Sequence, residues 1–221
     1  YKKMYTGLML EIDAIDNGVE VAKNTVYHIG TGLGNRVGHM NLPWNAPEGL
    51  SQHDQFKKAM PLCEADFMSR LYHLVHIMMP ARQIVLEAWN NREKFNKGGQ
   101  FIWFEKTCPW KSHLLDIEKE NNLEGHIKFV FFKDGRGMYR IQALPAKGEG
   151  SFENRISIAT NIRGLRGEEL QKACGVKDAE FVHMAGFIGG CWSLEGVVKI
   201  AELSLAVHDE EEKYKKQKTG N

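Results

Sequence analysis

The chain has 221 residues, 43% of them hydrophobic and 26% charged, with a net charge of +1. That composition suffices for a packed core under a soluble surface, in one large domain or two small ones. The near-neutral balance excludes a global basic signature for nucleic acid, so any such binding must come from a local patch.

The four cysteines, Cys63, Cys108, Cys174 and Cys191, form no C-x-x-C pair. Their scatter argues against a zinc ribbon or a small disulfide scaffold and fits a reducing compartment. No apolar run approaches bilayer-spanning length. The chain opens on Tyr1, already inside a helical pattern, and reads as a segment that begins within a larger protein.

In chain order, Met4, Leu8, Ile12 and Ile15 predict a first helix that ends at Asn17-Gly18. Asp13 and Asp16 lie one turn apart at its C-terminal end, where the helix dipole disfavours negative charge. Oxygen ligands at that spacing suit a hard divalent ion; a solvated acidic helix end is the competing reading. Residues 24–45 are punctuated by glycines, each costing a helix about 1 kcal/mol relative to alanine. Asp54 to Arg92 is the longest helical tract, broken or kinked at Pro80. Within it His73, His76, Met78 and Met79 read as core and boundary residues of a buried helix rather than as ligands.

After Gly98-Gly99 the character changes. Gln100–Phe104, Ile127–Phe132 and Met138–Leu144 predict strands, the last two joined as a hairpin by Asp134-Gly135. A helix follows Trp110 to about Asn121, a loop covers Gly148 to Ser151, and another helix opens near Arg163 and ends near Gly175. Phe181–His183 then predicts a strand, followed by a turn at Gly186, Gly189 and Gly190 and a helix capped by Ser193. Amides at such a helix start suit a phosphate or carboxylate, with His183 as an added donor; the competing reading is a tight strand-to-helix connection. Cys191 beside this turn reads as a small residue fitted into it rather than as a nucleophile. Asp209 to Asn221 is expected to be frayed or bound to a partner. The expected fold is α+β, within the α/β class: a helical part over 1–97, a mixed-sheet part over 98–208 and a charged tail over 209–221.

Cations Lys106, Lys111, Arg136, Arg140, Arg155, Arg163 and Arg166 are interleaved with Trp103, Trp110, Tyr139 and Trp192. Charge for a backbone and rings for bases are what a single-stranded nucleic acid requires.

Several motifs carry a resemblance that spans nearly the whole chain in order. They are Asp13-Ala14-Ile15-Asp16-Asn17-Gly18, Arg36-Val37 with Asn41 and Trp44-Asn45, Phe56-Lys57 with Ala59-Met60, and Pro80-Ala81-Arg82. Further on come Cys108-Pro109-Trp110-Lys111 with His113-Leu114, Tyr139-Arg140-Ile141-Gln142, Arg163-Gly164-Leu165-Arg166, and Phe181-Val182-His183 with Gly186 to Gly190 and Glu195-Gly196. In these the sequence resembles the C-terminal two-thirds of the melanocyte-proliferating-gene-one proteins, DHH-type phosphoesterases assigned as 3′–5′ RNA exonucleases of the nucleus and mitochondria.

The resemblance implies a Mn²⁺ or Mg²⁺ centre to which Asp13 or Asp16 contributes. It also implies a substrate domain in which His183, Gly186, Gly189, Gly190, Arg163, Arg166, Lys111 and Trp192 hold an RNA end. Family members carry the remaining metal ligands upstream, including an Asp-His-His motif, and none of these occurs in this sequence. The expected partners are therefore RNA and the missing N-terminal half or another chain, in a homodimer or a ribonucleoprotein assembly, with no membrane. The 221 residues alone are expected to be inactive. Cys191-Trp192 stands where members often have a polar or basic residue, which shifts the expected grip from phosphate charge toward stacking on Trp192. Two other readings are an inactive structural or assembly subunit on the same scaffold and a stand-alone RNA-binding module.

Overall fold

The structure is a computed structural model that describes every residue except Lys23, Thr25, Glu149, Gly220 and Asn221. Parts of the glycine-punctuated stretch, the 148–151 loop and the tail therefore lie outside the described residues. The chain forms two compact units, Tyr1–Pro80 and Ala81–Asn221. None of the described helices is long and apolar enough to cross a membrane.

Unit 1 is helical. α1 (Lys2–Met4), a π-turn (Tyr5–Met9) and α2 (Leu10–Asp16) follow one another. Gly18 closes the run at a positive φ of 69°, a conformation open to glycine without a Cβ clash. α3 (Leu33–Gly38) forms despite its glycines. α4 (Gln52–Tyr72) is capped by Ser51, whose Oγ accepts from the Asp54 amide at 3.1 Å. Asp66 on α4 takes Arg36 of α3 at 3.7 Å and Arg70 at 2.8 Å, so the lone cation of the glycine-rich stretch ties two helices. Ahead of Pro80 the helix widens into a π-turn at His73–Met78, with the Met79 amide reaching back to Leu74. A proline has no amide and crowds the preceding turn, and the wider turn accommodates it without ending the helix.

The part of the long tract ahead of Pro80 does not form the buried helix expected of it. His73, His76 and Met79 are exposed. Among the described residues of this unit only Leu8 and Ala59 are buried hydrophobics.

Unit 2 begins with α5 (Met79–Asn90), whose start straddles the division at Pro80. The reason is packing: Val85 and Trp89 belong to the same core as Ile102 and Phe104 of the sheet. Five strands form one sheet in the order β1-β2-β3-β5-β4: β1 (Phe101–Phe104), β2 (Phe129–Lys133), β3 (Tyr139–Ala143), β4 (Ala179–Val182) and β5 (Ile188–Cys191). β1 and β2 are parallel and need a crossover, supplied by α6 (Lys111–Glu120); the other pairings are antiparallel. The expected α+β character is thus observed.

Strand periodicity distributes the apolar side chains over two faces. Phe101, Phe129, Phe131 and Ile141 pack with Ile158, Ile162, α7 (Gly167–Cys174) through Leu170, and α8 (Leu194–Thr219) through Val197 and Ile200. Ile102, Phe104 and Val130 pack on the opposite face with Trp110, Leu114 and Ile117. Each fully buried ring or branched chain contributes about 1.5–3 kcal/mol.

α8 continues past Asp209 to Thr219. Its last turns are rich in Glu and Lys, good helix formers, and Lys215 pairs with Glu212 at 2.9 Å.

Arg155 is not free to contact nucleic acid. Its guanidinium forks onto the buried Glu118 at 2.6 and 2.7 Å and also donates to the Ile127 and Pro145 carbonyls. Glu118 in turn accepts from the Ile127 amide at 2.9 Å. This joins α6, the approach to β2 and the 145–155 segment. Removing one partner leaves a buried charge unpaired, so Arg155→Ala should cost about 3–5 kcal/mol in a denaturant titration. A change within about 0.5 kcal/mol would contradict a structural role for the pair.

Candidate functional site

The stretch that the sequence presents as strand, turn and helix contains an extra strand. Gly189 and Gly190 lie inside β5, between β3 and β4, and not in a turn at the start of a helix. The turn is earlier, at His183–Gly186, where the Gly186 amide donates to the His183 carbonyl at 2.8 Å and Gly186 adopts a φ of 66°. The glycines answer to close packing. A Cβ on Gly189 would lie 3.0 Å from the Phe181 carbonyl oxygen and 3.2 Å from Ile141 Cγ2. One on Gly190 would lie 2.7 Å from Met138 Sδ and 2.9 Å from the Phe181 ring.

α8 starts beyond Trp192 and Ser193. As expected, Ser193 caps it, accepting from the Gly196 amide at 3.0 Å. Asp178 places a carboxylate oxygen 2.7 Å from where a Gly196 Cβ would stand. That negative charge occupies the position where a helix dipole would favour an anion.

Cys191 ends β5 in the core. Burial pushes its thiol well above the ordinary value, and Asp178 and Cys174 push the same way. A thiolate nucleophile is therefore disfavoured there.

The expected substrate residues divide into separate places. At the turn end of the β4–β5 hairpin, the exposed His183 accepts from the Ala185 amide through Nδ1 at 3.1 Å and meets the Phe187 ring edge-on at 4.7 Å. Arg163 lies over Gly186 and donates through Nε to the Ile158 carbonyl at 2.7 Å. At the other end, Trp192 is 52% exposed and donates through Nε1 to Glu180 at 3.0 Å. Residues 179 and 191 pair at that end and 182 and 189 at the other, with the His183 amide donating to the Ile188 carbonyl, so strand rise separates His183 and Trp192 by roughly 13–14 Å along the hairpin. Lys111 stands elsewhere, at the start of α6, with its ammonium 5.9 Å from the Trp110 ring centroid.

Between the two hairpin ends lies a cluster that the sequence reading did not assemble. Register places Phe181, Gly190 and Arg140 side by side on one face. The Arg140 guanidinium lies 4.9 Å and that of Arg166 5.5 Å from the Phe181 ring centroid. Asp134, at the hairpin turn, accepts from Nε and Nη2 of Arg140 at 2.9 and 2.6 Å and from the amides of Arg136 and Met138. Strand parity from the Asp134-Gly135 turn was the signal that could have found Arg140; the pairing of Arg166 with Phe181 is long-range and has no local signature.

Asp13 and Asp16 sit in the last turn of α2 and both are exposed. Asp16 borders a cleft of about 130 Å³ with Glu11, Ile12 and Leu33. Among the described residues no group of three His, Cys, Asp or Glu side chains is placed to hold a metal ion. Two exposed carboxylates are fewer oxygen ligands than Mg²⁺ or Mn²⁺ ordinarily takes.

Two measurements test the cluster. Gly190→Ala should lose about 1–3 kcal/mol through overpacking, while Gly135→Ala, where a Cβ meets open space, should change stability by no more than about 0.5 kcal/mol. Desolvation raises the Asp134 carboxyl, but hydrogen bonds from Arg140 and the two amides outweigh it and hold the group below the ordinary carboxylate range. A depressed folded value stabilises above the unfolded pKa of about 3.9 and is lost as pH falls through the folded pKa. Asp134→Asn should therefore be less stable than the parent at neutral pH, with the gap closing below about pH 4. A gap independent of pH would contradict this.

A family model described as MYG1_exonuc, Uncharacterised protein family (UPF0160), matches residues 1–205. A MYG1 protein of Caenorhabditis elegans is 36% identical over 100% of this chain and 66% of its own length. The MYG1 exonucleases of Homo sapiens and Rattus norvegicus are each 37% identical over 93% of this chain, covering 55% and 54% of their own lengths. The chain thus spans between about half and two thirds of the relatives it matches. No solved structure matches it significantly. A match over most of the chain at this identity shows that the chain belongs to the MYG1 family.

Proposed function

We propose that this chain is the substrate-holding part of a metal-dependent exonuclease that removes nucleotides from the 3′ end of RNA, in the nucleus or mitochondria. The observation that carries the reading is membership of a family whose mammalian members are named exonucleases. In this reading Asp13 or Asp16 contributes a carboxylate to a Mn²⁺ or Mg²⁺ centre whose other ligands lie outside these residues.

Unit 2 then holds the single strand along the β4–β5 hairpin. Trp192 offers an exposed ring at one end and His183 at the other. Arg166 stands between them, exposed and with no ion pair among the described residues. Stacking on such rings contributes about 1–3 kcal/mol per base, and a cation nearby meets the backbone phosphate. Gly189 and Gly190 act by bringing β4 and β5 together, and Arg163 by shaping the turn. Lys111 offers a further cation on α6.

The test uses a polypeptide of the relatives' full length. Mn²⁺-dependent release of mononucleotides from a 3′-labelled single-stranded RNA is expected, lost by at least roughly 10–100-fold in Asp16→Ala or Asp13→Ala. Undiminished activity in both variants would contradict the ligand assignment. No release from an unaltered full-length protein would favour a structural or assembly subunit instead. The 221 residues alone should bind single-stranded RNA with a steep salt dependence and hydrolyse none of it.

A further inference from the structure

Unit 1 forms helices but almost no interior. Leu8 and Ala59 are its only buried hydrophobics among the described residues, although it spans Tyr1–Pro80. A folded domain of about 60 residues ordinarily buries about 60% of the surface that its unfolded chain exposes, and even then is marginally stable. α4 shows where the missing contact belongs. Ala59 is buried and Asp66 faces Arg36 of α3, so one side of the helix is used within the unit.

Adjacent to that side, Phe56 (61% exposed), Met60 (55%), the exposed Cys63 and Phe67 (43%) recur at i, i+4, i+7 and i+11. That spacing makes one continuous apolar stripe along three turns of helix. A contiguous exposed patch of this kind marks an interaction surface.

The occupant follows from two observations. Apolar exposure in unit 1 is not confined to α4: Ile12 on α2 and Trp44 in the following loop are also open, at 40% and 97%. A two-fold dimer buries one self-complementary patch per protomer, whereas a polypeptide layer can cover surfaces on several elements. The relatives carry such additional polypeptide, since this chain matches only 66% of the Caenorhabditis elegans protein and 55% of the human one.

We propose that the stripe Phe56–Met60–Cys63–Phe67 is the docking face for the part of the family fold outside the matched region, a polypeptide layer with an apolar inner face. The proposal rests on family membership and on burial. It does not depend on the nuclease reading, so either can fail alone.

Cys63 is a built-in reporter, because alkylation needs an accessible thiol. Iodoacetamide labelling is followed peptide by peptide in two forms. One is the 221-residue chain; the other is the same chain joined to the residues that the Caenorhabditis elegans relative carries outside its match. Cys63 should label freely in the first and about tenfold or more slowly in the second. Phe67→Asp in the second form should restore labelling of Cys63 while the buried Cys191 stays protected, which shows that unit 2 remains folded. Equal labelling of Cys63 in the two forms overturns the proposal. Slow labelling in the 221-residue chain alone, with a dimer mass by light scattering, overturns it in favour of a second copy.

Discussion

β5 fits between β3 and β4 only because its two central residues carry no side chains. With any larger residue at Gly190, the Phe181 ring and Met138 would have to move. Phe181 sets the position of Arg140 and Arg166, which flank it, and Arg140 is held in turn by Asp134. The geometry of the β4–β5 hairpin, and the separation of His183 from Trp192 along it, therefore depends on a close backbone approach. The glycines act on the candidate site through packing, with the strand edges and the exposed rings left to meet a ligand.

The two units differ in what they can do alone. Unit 2 has a sheet with apolar layers on both faces and a buried, bidentate ion pair between Glu118 and Arg155. Such a pair is worth little against an apolar alternative, but it is costly to break from one side, so it specifies how α6, β2 and the 145–155 segment meet. Unit 1 has one helix, α4, with a side-chain cap and has the Asp66 ion pairs, but little buried apolar surface. Local propensity and capping explain why its helices form; they do not supply the burial that would hold those helices together.

Much of the fold was legible because periodicity is local. Short apolar runs rich in aromatic and branched residues, Gln100–Phe104 and Ile127–Phe132, gave strands, and Asp134-Gly135 gave a hairpin turn. Ser193 was recognisable as a cap. What failed shares one cause, which is that burial is decided by residues distant in sequence. Ile188-Gly189-Gly190-Cys191 looks like a turn, since glycine lowers strand propensity and only the packing of Phe181 and Ile141 explains it. The helical rhythm of 54–92 is real, yet periodicity marks a face that prefers burial without showing what covers it. Arg155 and Arg163 looked like surface cations, but their partners Glu118 and the Ile158 carbonyl take up their donors. Asp13, Asp16, His183, Arg166 and Trp192 are exposed, and residues 183–193, which read as a strand-to-helix turn, instead hold the turn and second strand of a hairpin.

We propose that single-stranded RNA lies along that hairpin. Photo-crosslinking with an oligoribonucleotide carrying 4-thiouridine at its 3′ terminus tests it most directly, read by mass spectrometry of the crosslinked peptides. Crosslinks are expected within 181–192, at the exposed His183, Phe187 or Trp192, and Arg166→Glu is expected to weaken them. Crosslinks confined to other segments of unit 2, or equal yield from Arg166→Glu, would contradict it.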